Sequence, residues 1–525
     1  MKHIKRFYGL VGMTVAAVLL SGCALQAPGT VILLTPTVNP AARAAAQLSS
    51  ATPSPSMTST VITPLTIVQP TNGALPLPDI TPMATYGPVV GPNYTPATPG
   101  PAATALPAVT LATSGTPATP GAIPSATSGT PATSITPTVT PTAGPSPTPL
   151  PILVRDYLGI QIHGYLNDAD WQKMLDRAKA LGVSWIKVQV LWSQMSPARG
   201  QTNDIFQTLI LDVQRAHTQG FKTLLSVDAA PDWARGGGAL TLSGPPTDPQ
   251  DLAAFVSSLV STVKPEFIDA LEIWNEPNLR SEWNTPGVPL TGAAYMKYFD
   301  AAYQAIRHTE TLTTPTFGTH HITIIAAAAA TGTPNSANTV DDRDWLKQLY
   351  AAGLARYGAD IAVGTHPYGW ANAPDATCCA VVPGVTGWNN IRAFYFKDTL
   401  DDYRQIMVAN KHDAAKLWIT EFGWATYDGL HRSDGSPAAP PSDPSFGWIK
   451  LINKQQQADY TIRAFLMASQ PPYSSFLGPL MLWNLNFGTI PQMIDSGRQE
   501  AGFSLLDFDG SPRPVYQALA AAPKQ

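Results

Sequence analysis

The chain has 525 residues and a formal net charge of −4, and its 32 Lys and Arg form no basic cluster against 36 Asp and Glu. Nucleic-acid binding needs a basic stripe to neutralise phosphates, so that class is set aside and a neutral partner fits better. All 13 Trp lie at or after Trp171, whereas 25 of the 51 Pro fall between Ala24 and Leu150, so two unlike parts are joined in one chain.

The N-terminus carries Lys2, Lys5 and Arg6, then an apolar stretch from Phe7 to Leu20, then Leu20-Ser-Gly-Cys23. A positive region, a short apolar core and small residues before a cleavage point describe a secretory signal over residues 1–22. The apolar stretch is shorter than the roughly 20 residues that span a bilayer. Cys23 after Leu-Ser-Gly resembles the bacterial lipobox, which implies a lipidated Cys23 and an extracellular protein anchored to the membrane. Residues 23–150 follow, with only Arg43 and Asp79 charged after Cys23 and with Pro interleaved among Thr, Ser and Ala. So few large side chains cannot offset an ordering entropy of roughly 1–2 kcal/mol per residue. This segment reads as a disordered tether. Within it Ala112-Thr-Ser-Gly-Thr-Pro-Ala-Thr119 recurs as 126–133, a Pro- and Thr-rich composition open to O-glycosylation.

Residues 151–525 read as one folded domain. Eight apolar, β-rich runs occur in order: Leu158–Ile162, Trp185–Leu191, Thr223–Val227, Ala270–Trp274, Ile322–Ala327, Ile361–Gly364, Leu417–Thr420 and Leu480–Trp483. Helical periodicity lies between them. Trp171, Met174, Leu175, Ala178 and Leu181 form one face, and Phe206, Leu209, Ile210, Val213 and Ala216 a second. A third, Leu252 to Val263, starts after Asp248-Pro249, a cap followed by Pro in the first turn. Strands alternating with helices argue for parallel βαβ units, and eight of them close into a (β/α)8 TIM barrel. The alternative, a doubly wound open sheet, predicts a glycine-rich phosphate loop after the first strand, where this chain reads Gln161-Ile-His-Gly164-Tyr.

Active sites of such barrels lie at the C-terminal ends of the strands. The fourth run ends Leu271-Glu-Ile-Trp-Asn-Glu-Pro-Asn278 and the seventh ends Leu417-Trp-Ile-Thr-Glu-Phe-Gly-Trp424. Each places a Glu, Glu276 or Glu421, just past an apolar strand, and two carboxylates across a cleft suit glycosidic cleavage. Trp274-Asn-Glu-Pro-Asn278 and Thr420-Glu-Phe-Gly-Trp424 resemble the signatures of clan A glycoside hydrolases, over most of the stretch from Tyr157 to Tyr516. The resemblance implies a retaining enzyme that cleaves β-glycosidic bonds, with Glu276 as general acid/base and Glu421 as nucleophile. It implies further that Asn275 holds the sugar 2-hydroxyl, that Tyr368 of His366-Pro-Tyr368 orients the nucleophile, and that Trp483 forms an aromatic platform. No cofactor or metal is needed.

Two positions depart from the clan pattern. Lys187 stands where many members carry Arg on strand two, and Ser226-Val-Asp-Ala-Ala-Pro-Asp-Trp233 stands where many carry a His after strand three. These departures point away from typical family 5 members, and the strand-four text, with Leu279, Trp283 and a Tyr295-containing helix following, looks closer to family 39 and its unclassified relatives. Trp233, Trp283, Trp370 and Trp424, at or beyond strand ends, are candidates for stacking on a carbohydrate substrate. Cys378 and Cys379, adjacent, could close a vicinal disulfide, and with no further Cys beside them they do not suggest a metal site. The alternative reading is a barrel that binds carbohydrate at the cell surface without cleaving it; the presence of both Glu speaks for catalysis.

Overall fold

The computed structural model describes residues 152–525 except 237–241, 318–319 and 380–386. The signal and lipobox Cys23 expected within residues 1–23, and the tether expected over 23–150, lie outside the described residues.

Eight parallel strands form one closed barrel in chain order: β1 (Leu158–Gln161), β2 (Trp185–Leu191), β3 (Lys222–Asp228), β4 (Ala270–Ile273), β5 (Thr323–Ala326), β6 (Ile361–Thr365), β7 (Lys416–Phe422) and β8 (Leu477–Leu482). Pairing of β1 with β8, Leu158 opposite Leu480 and Ile160 opposite Leu482, closes the ring. The open-sheet alternative is thereby excluded.

Helices alternate with the strands: α1 (Asp168–Leu181), α2 (Asp204–Thr218), α3 (Pro249–Val263), α4 (Gly292–Phe317), α5 (Asp342–Ala351), α6 (Phe396–Ala409), α7 (Lys454–Ala468) and α8 (Pro514–Ala521). Their starts follow local chemistry. Asn167, Asn203 and Asp248 each accept hydrogen bonds from backbone N–H groups of the first turn, and Asn453 with Gln456 completes a capping box on α7. The three faces read from periodicity are those buried against the barrel: Trp171 to Leu181 on α1, Phe206 to Ala216 on α2 and Leu252 to Val263 on α3. Among the described residues no helix is long and apolar enough to cross a membrane.

The barrel interior is layered. Trp185, Leu224, Ala270, Ile325, Ala362, Trp418 and Met481, from seven strands, form a separate apolar cluster, with Trp185 and Trp418 edge to face at 5.1 Å. Because side chains alternate along a strand, the inward positions two residues further on are Lys187, Ser226, Glu272, Gly364, Thr420 and Trp483. A dry floor thus supports a polar layer at the C-terminal end. The β7–β8 pairing then slips: Ile419 faces Leu480 but Phe422 faces Leu482, which inserts one extra residue into β7. That bulge lets Thr420 and Glu421, neighbours in sequence, both reach the interior.

Candidate active site

Glu421 and Glu276 are buried in that layer, and both approach one imidazole. His366, just beyond β6, places Nδ1 at 3.0 Å from Glu276 Oε1 and 3.8 Å from Glu421 Oε2. Those two oxygens therefore cannot be farther apart than the two distances laid end to end. That limit leaves room for the roughly 5–5.5 Å of retaining carboxyl pairs.

The two carboxyls sit in different surroundings. Lys187 Nζ donates to Glu421 Oε1 at 2.8 Å and the Tyr368 hydroxyl donates to Oε2 at 2.9 Å. With its amide nitrogen turned toward Glu421, Gln161 donates to Oε1 at 3.2 Å while its oxygen accepts the Trp483 indole N–H at 3.2 Å. Burial alone would raise the Glu421 carboxyl, but the Lys187 and His366 charges and the two hydrogen bonds outweigh it and hold Glu421 below the usual carboxylate range. Burial raises Glu276 above that range, and Glu421 adds to the rise against the His366 bond. The surroundings thus shift the two carboxyls in opposite directions. Burial would lower His366 and Lys187, yet the surrounding carboxylates raise both above their ordinary values.

Beneath the pair lies Glu272, which the sequence reading passed over. It accepts from Ser226 Oγ at 2.9 Å, from Thr420 Oγ1 at 2.8 Å and from the Ala328 N–H at 3.2 Å, with Lys187 Nζ at 3.6 Å. Thr420 Oγ1 in turn meets His366 Nε2 at 3.1 Å. Glu272 therefore helps fix the direction of Lys187 and, through Thr420, of His366, the two basic side chains beside Glu421. Gln161, Gln189, Asp228 and Glu282 were passed over too. A polar residue at inward parity within an apolar strand was the available signal, since burying it is costly unless it is bonded.

Backbone strain gathers at the same rim. Trp274 has φ +79° and Glu276 φ +40°, and Tyr165, Ala229 and Trp370 are also left-handed, at φ +63°, +54° and +53°. Such non-Gly residues cost of order 1–3 kcal/mol each and persist where packing over-determines them. The Trp274 indole is pinned by donation to the Glu282 carbonyl at 2.9 Å, which holds the turn that aims Glu276.

The remaining candidates separate. Asn275 is fully buried beside Glu276 with neither amide atom bonded within the protein. Trp483 packs edge-on to Tyr368 at 6.1 Å, next to the pair. Trp424 is corrected: it is 1% exposed, its indole N–H donates to the Asn372 carbonyl at 2.8 Å, and it packs among Phe396, Phe422 and Tyr460. Phe396 and Tyr460 lie on helices α6 and α7, so Trp424 packs into the layer between the barrel and its helices. Trp283 and Trp370 are buried in the same manner. Trp233 is half-buried, donates to the Ser196 carbonyl at 2.8 Å and carries Arg199 over its ring, and none of these contacts joins it to the carboxyl pair. Cys378 and Cys379 are disulfide-bonded to each other, on a loop held by donation of the Cys378 N–H to Asp398 at 2.6 Å. Among the described residues no group of three or more His, Cys, Asp or Glu is arranged to hold a metal.

No family model matches the chain, and no curated protein matches it. Among solved structures it is similar to a family 39 glycoside hydrolase from Bacteroides cellulosilyticus, at 18% identity over 71% of this chain and 65% of that one, TM-score 0.48. The chain thus spans 65% of the length of that protein. It is also similar to the GH53 catalytic domain of Ignisphaera aggregans, at 16% identity over 72% and 99% of the two chains, TM-score 0.45. A GH5_18 protein from Bifidobacterium longum subsp. infantis matches at 14% identity over 70% and 78%, TM-score 0.46. The barrel assignment itself rests on the eight strand pairings.

Proposed function

We propose that this protein is a retaining glycoside hydrolase acting on β-linked oligo- or polysaccharide, with Glu421 as nucleophile and Glu276 as acid/base. The observation that carries the reading is the opposite tuning of two buried carboxyls that share the His366 imidazole. In the first step Glu276 gives its proton to the glycosidic oxygen as the bond to the anomeric carbon breaks, and Glu421 bonds to that carbon. The negative charge on Glu421 disappears on forming the ester, which removes one cause of the raised Glu276 pKa. Glu276, now ionised, takes a proton from water, whose oxygen attacks the anomeric carbon and releases Glu421. Lys187 and Tyr368 keep Glu421 ionised and fixed in direction before attack, and Asn275 offers its unbonded amide to a sugar hydroxyl. Trp483 supplies an apolar face beside the reacting ring, with Trp233 farther out on the rim.

The Leu20-Ser-Gly-Cys23 text supports an anchor at Cys23, and the Pro- and Thr-rich stretch supports a tether that holds the barrel outside the cell. The test is a screen of aryl β-glycosides and of plant and microbial polysaccharides with wild type beside Glu421→Gln. Cleavage by wild type alone, with proton NMR showing the first-formed anomer to be β, supports the reading. No cleavage of any substrate, equal rates in the variant, or an inverted anomer overturns it.

A further inference from the structure

The chain leaves β1 along the inner wall of the barrel. Gly159 faces Met481 of the interior cluster and Gln161 faces Glu421, so alternation gives His163 the same inward side, ~6.6 Å beyond Gln161. The Ile162 N–H still donates to the Lys187 carbonyl at 3.0 Å, so the strand geometry carries on to that point. The segment is then held from both neighbouring strands. The His163 N–H donates to Asn486 Oδ1, beyond β8, at 2.9 Å. On the β2 side the Tyr165 hydroxyl donates to the Gln189 carbonyl at 2.6 Å and accepts the Leu191 N–H at 2.9 Å. Under that grip Tyr165 keeps its left-handed φ of +63°.

The half-buried His163 ring meets Phe487 edge-on at 5.4 Å and Tyr165 at 6.2 Å, and Phe487 meets Trp483 at 5.5 Å. Gln161 ties this wall to the nucleophile, with its amide nitrogen on Glu421 and its oxygen on the Trp483 indole, each at 3.2 Å. Both hydrogen bonds of His163 among the described residues are made by its main chain, the second being Asn486 Nδ2 on its carbonyl at 3.5 Å, and its ring nitrogens make none. Burial against those rings lowers the imidazole to about 4. Above that pH it is neutral, with one nitrogen donating and the other accepting.

In a closed ring of eight strands β8 lies opposite β4. Glu276, beyond β4, protonates the leaving oxygen, so the leaving group departs on that side. The far end of the attacked ring, with its hydroxyls on carbons 3 and 4, then faces β8 and β1. Resting on the glycosidase reading, we propose that His163 is a specificity-determining residue that hydrogen-bonds the 3- or 4-hydroxyl of the sugar attacked by Glu421. A hydroxyl both donates and accepts, which matches a neutral imidazole. The grip of Asn486 and Tyr165 fixes the segment before the sugar arrives, so binding adds little ordering cost. A charged substituent at that end would find no opposite charge on His163.

The test compares kcat/KM for the 4-nitrophenyl β-glycosides of glucose, galactose, mannose and xylose, then sets the best of them beside its 3-deoxy and 4-deoxy forms. His163→Phe keeps a ring in place and removes both nitrogens, and His163→Gln restores a donor and an acceptor; His163→Leu carries the same comparison if the Phe variant fails to fold. Wild type should lose roughly twofold to tenfold on one deoxy form, the worth of a neutral hydrogen bond. His163→Phe should lose as much on the parent glycoside and nothing further on that deoxy form, and His163→Gln should recover part of the loss. Equal losses on the parent and on both deoxy forms, or no loss on the parent, overturn the contact and leave the glycosidase reading standing. If neither these glycosides nor cellotriose, xylotriose and mannotriose are cleaved, the glycosidase reading falls and calorimetric binding of the three trioses decides. Binding weakened by about twofold or more in His163→Phe and partly recovered in His163→Gln upholds the contact. No binding, or binding unchanged in the variants, overturns it.

Discussion

Replacing Lys187 by Met tests the electrostatic logic of the site most directly, because the side chain keeps an unbranched apolar stem and loses the ammonium with its charge and its hydrogen bond to Glu421. Lys187 is fully buried, with Nζ 2.8 Å from Glu421 and 3.6 Å from Glu272. At an effective dielectric of 20 the shorter contact is worth at most ~6 kcal/mol, and a charged hydrogen bond contributes roughly 1.5–3 kcal/mol net. At 1.36 kcal/mol per unit, the net range corresponds to a rise of roughly one to two units in the Glu421 pKa. Attack needs ionised Glu421, so the acid limb of kcat/KM against pH should move upward by that amount. Stability should follow the same sign. A carboxylate held below its ordinary pKa stabilises the fold above that ordinary value, and the contribution is lost as pH falls through the lowered value. Without Lys187 the loss begins at higher pH, and near neutrality the melting curve should report a cost approaching ~3–5 kcal/mol for two buried carboxylates left without their cation. The assays are a pH–rate profile on an aryl glycoside and thermal melts from pH 4 to 8. An acid limb within about 0.3 units of wild type, with the protein folded, would refute the assignment of Lys187 as the group that keeps Glu421 ionised.

Three further outcomes are expected. Glu276→Gln should lower kcat/KM by roughly 10²–10⁴ for substrates with poor leaving groups and much less for 2,4-dinitrophenyl glycosides, whose departure needs no proton; equal losses on both would deny Glu276 the role of acid. Asp212 on α2 is buried, with Oδ1 unbonded, and burial, partly countered by Arg215, pushes it up to about 7. A raised carboxyl favours the fold below its ordinary pKa and loses that contribution as pH rises through about 7, so Asp212→Asn should be more stable than wild type at pH 8, by up to a few kcal/mol, and gain little at pH 4 in thermal melts. An unchanged difference across that range would argue against it. A Cβ on Gly369 would overlap the Trp424 indole, whose N–H is tied to the Asn372 carbonyl, so Gly369→Ala should destabilise by about 1–3 kcal/mol in a denaturant titration. A neutral result would mean that the Trp424 packing yields more readily than its contacts imply.

Much of this molecule was legible along the chain because its signals are local. Period-3.6 faces, Asn and Asp caps and eight apolar runs are each set by neighbouring residues, and every one of the eight runs is a barrel strand. The Asn-Glu-Pro and Thr-Glu-Phe texts located Glu276 and Glu421 for the same reason. Position along the chain was a poor guide to the tryptophans: Trp424 follows β7 by two residues yet packs against Phe396 and Tyr460 of the outer helices.

What the sequence could not decide is who meets whom across the ring. Glu272 and Thr420 lie far apart in the chain and form a 2.8 Å hydrogen bond, and Lys187 on β2 reaches Glu421 on β7, five strands later in the chain. Closure of eight twisted strands brings alternate residues from every strand into one small polar layer, and no local rule encodes that convergence. The bulge that turns Glu421 inward exists only in the β7–β8 register. The two glutamates could therefore be picked out in the sequence, while the opposite shifts of their carboxyls, Glu421 below its ordinary pKa and Glu276 above, arise from neighbours that only the closed barrel supplies.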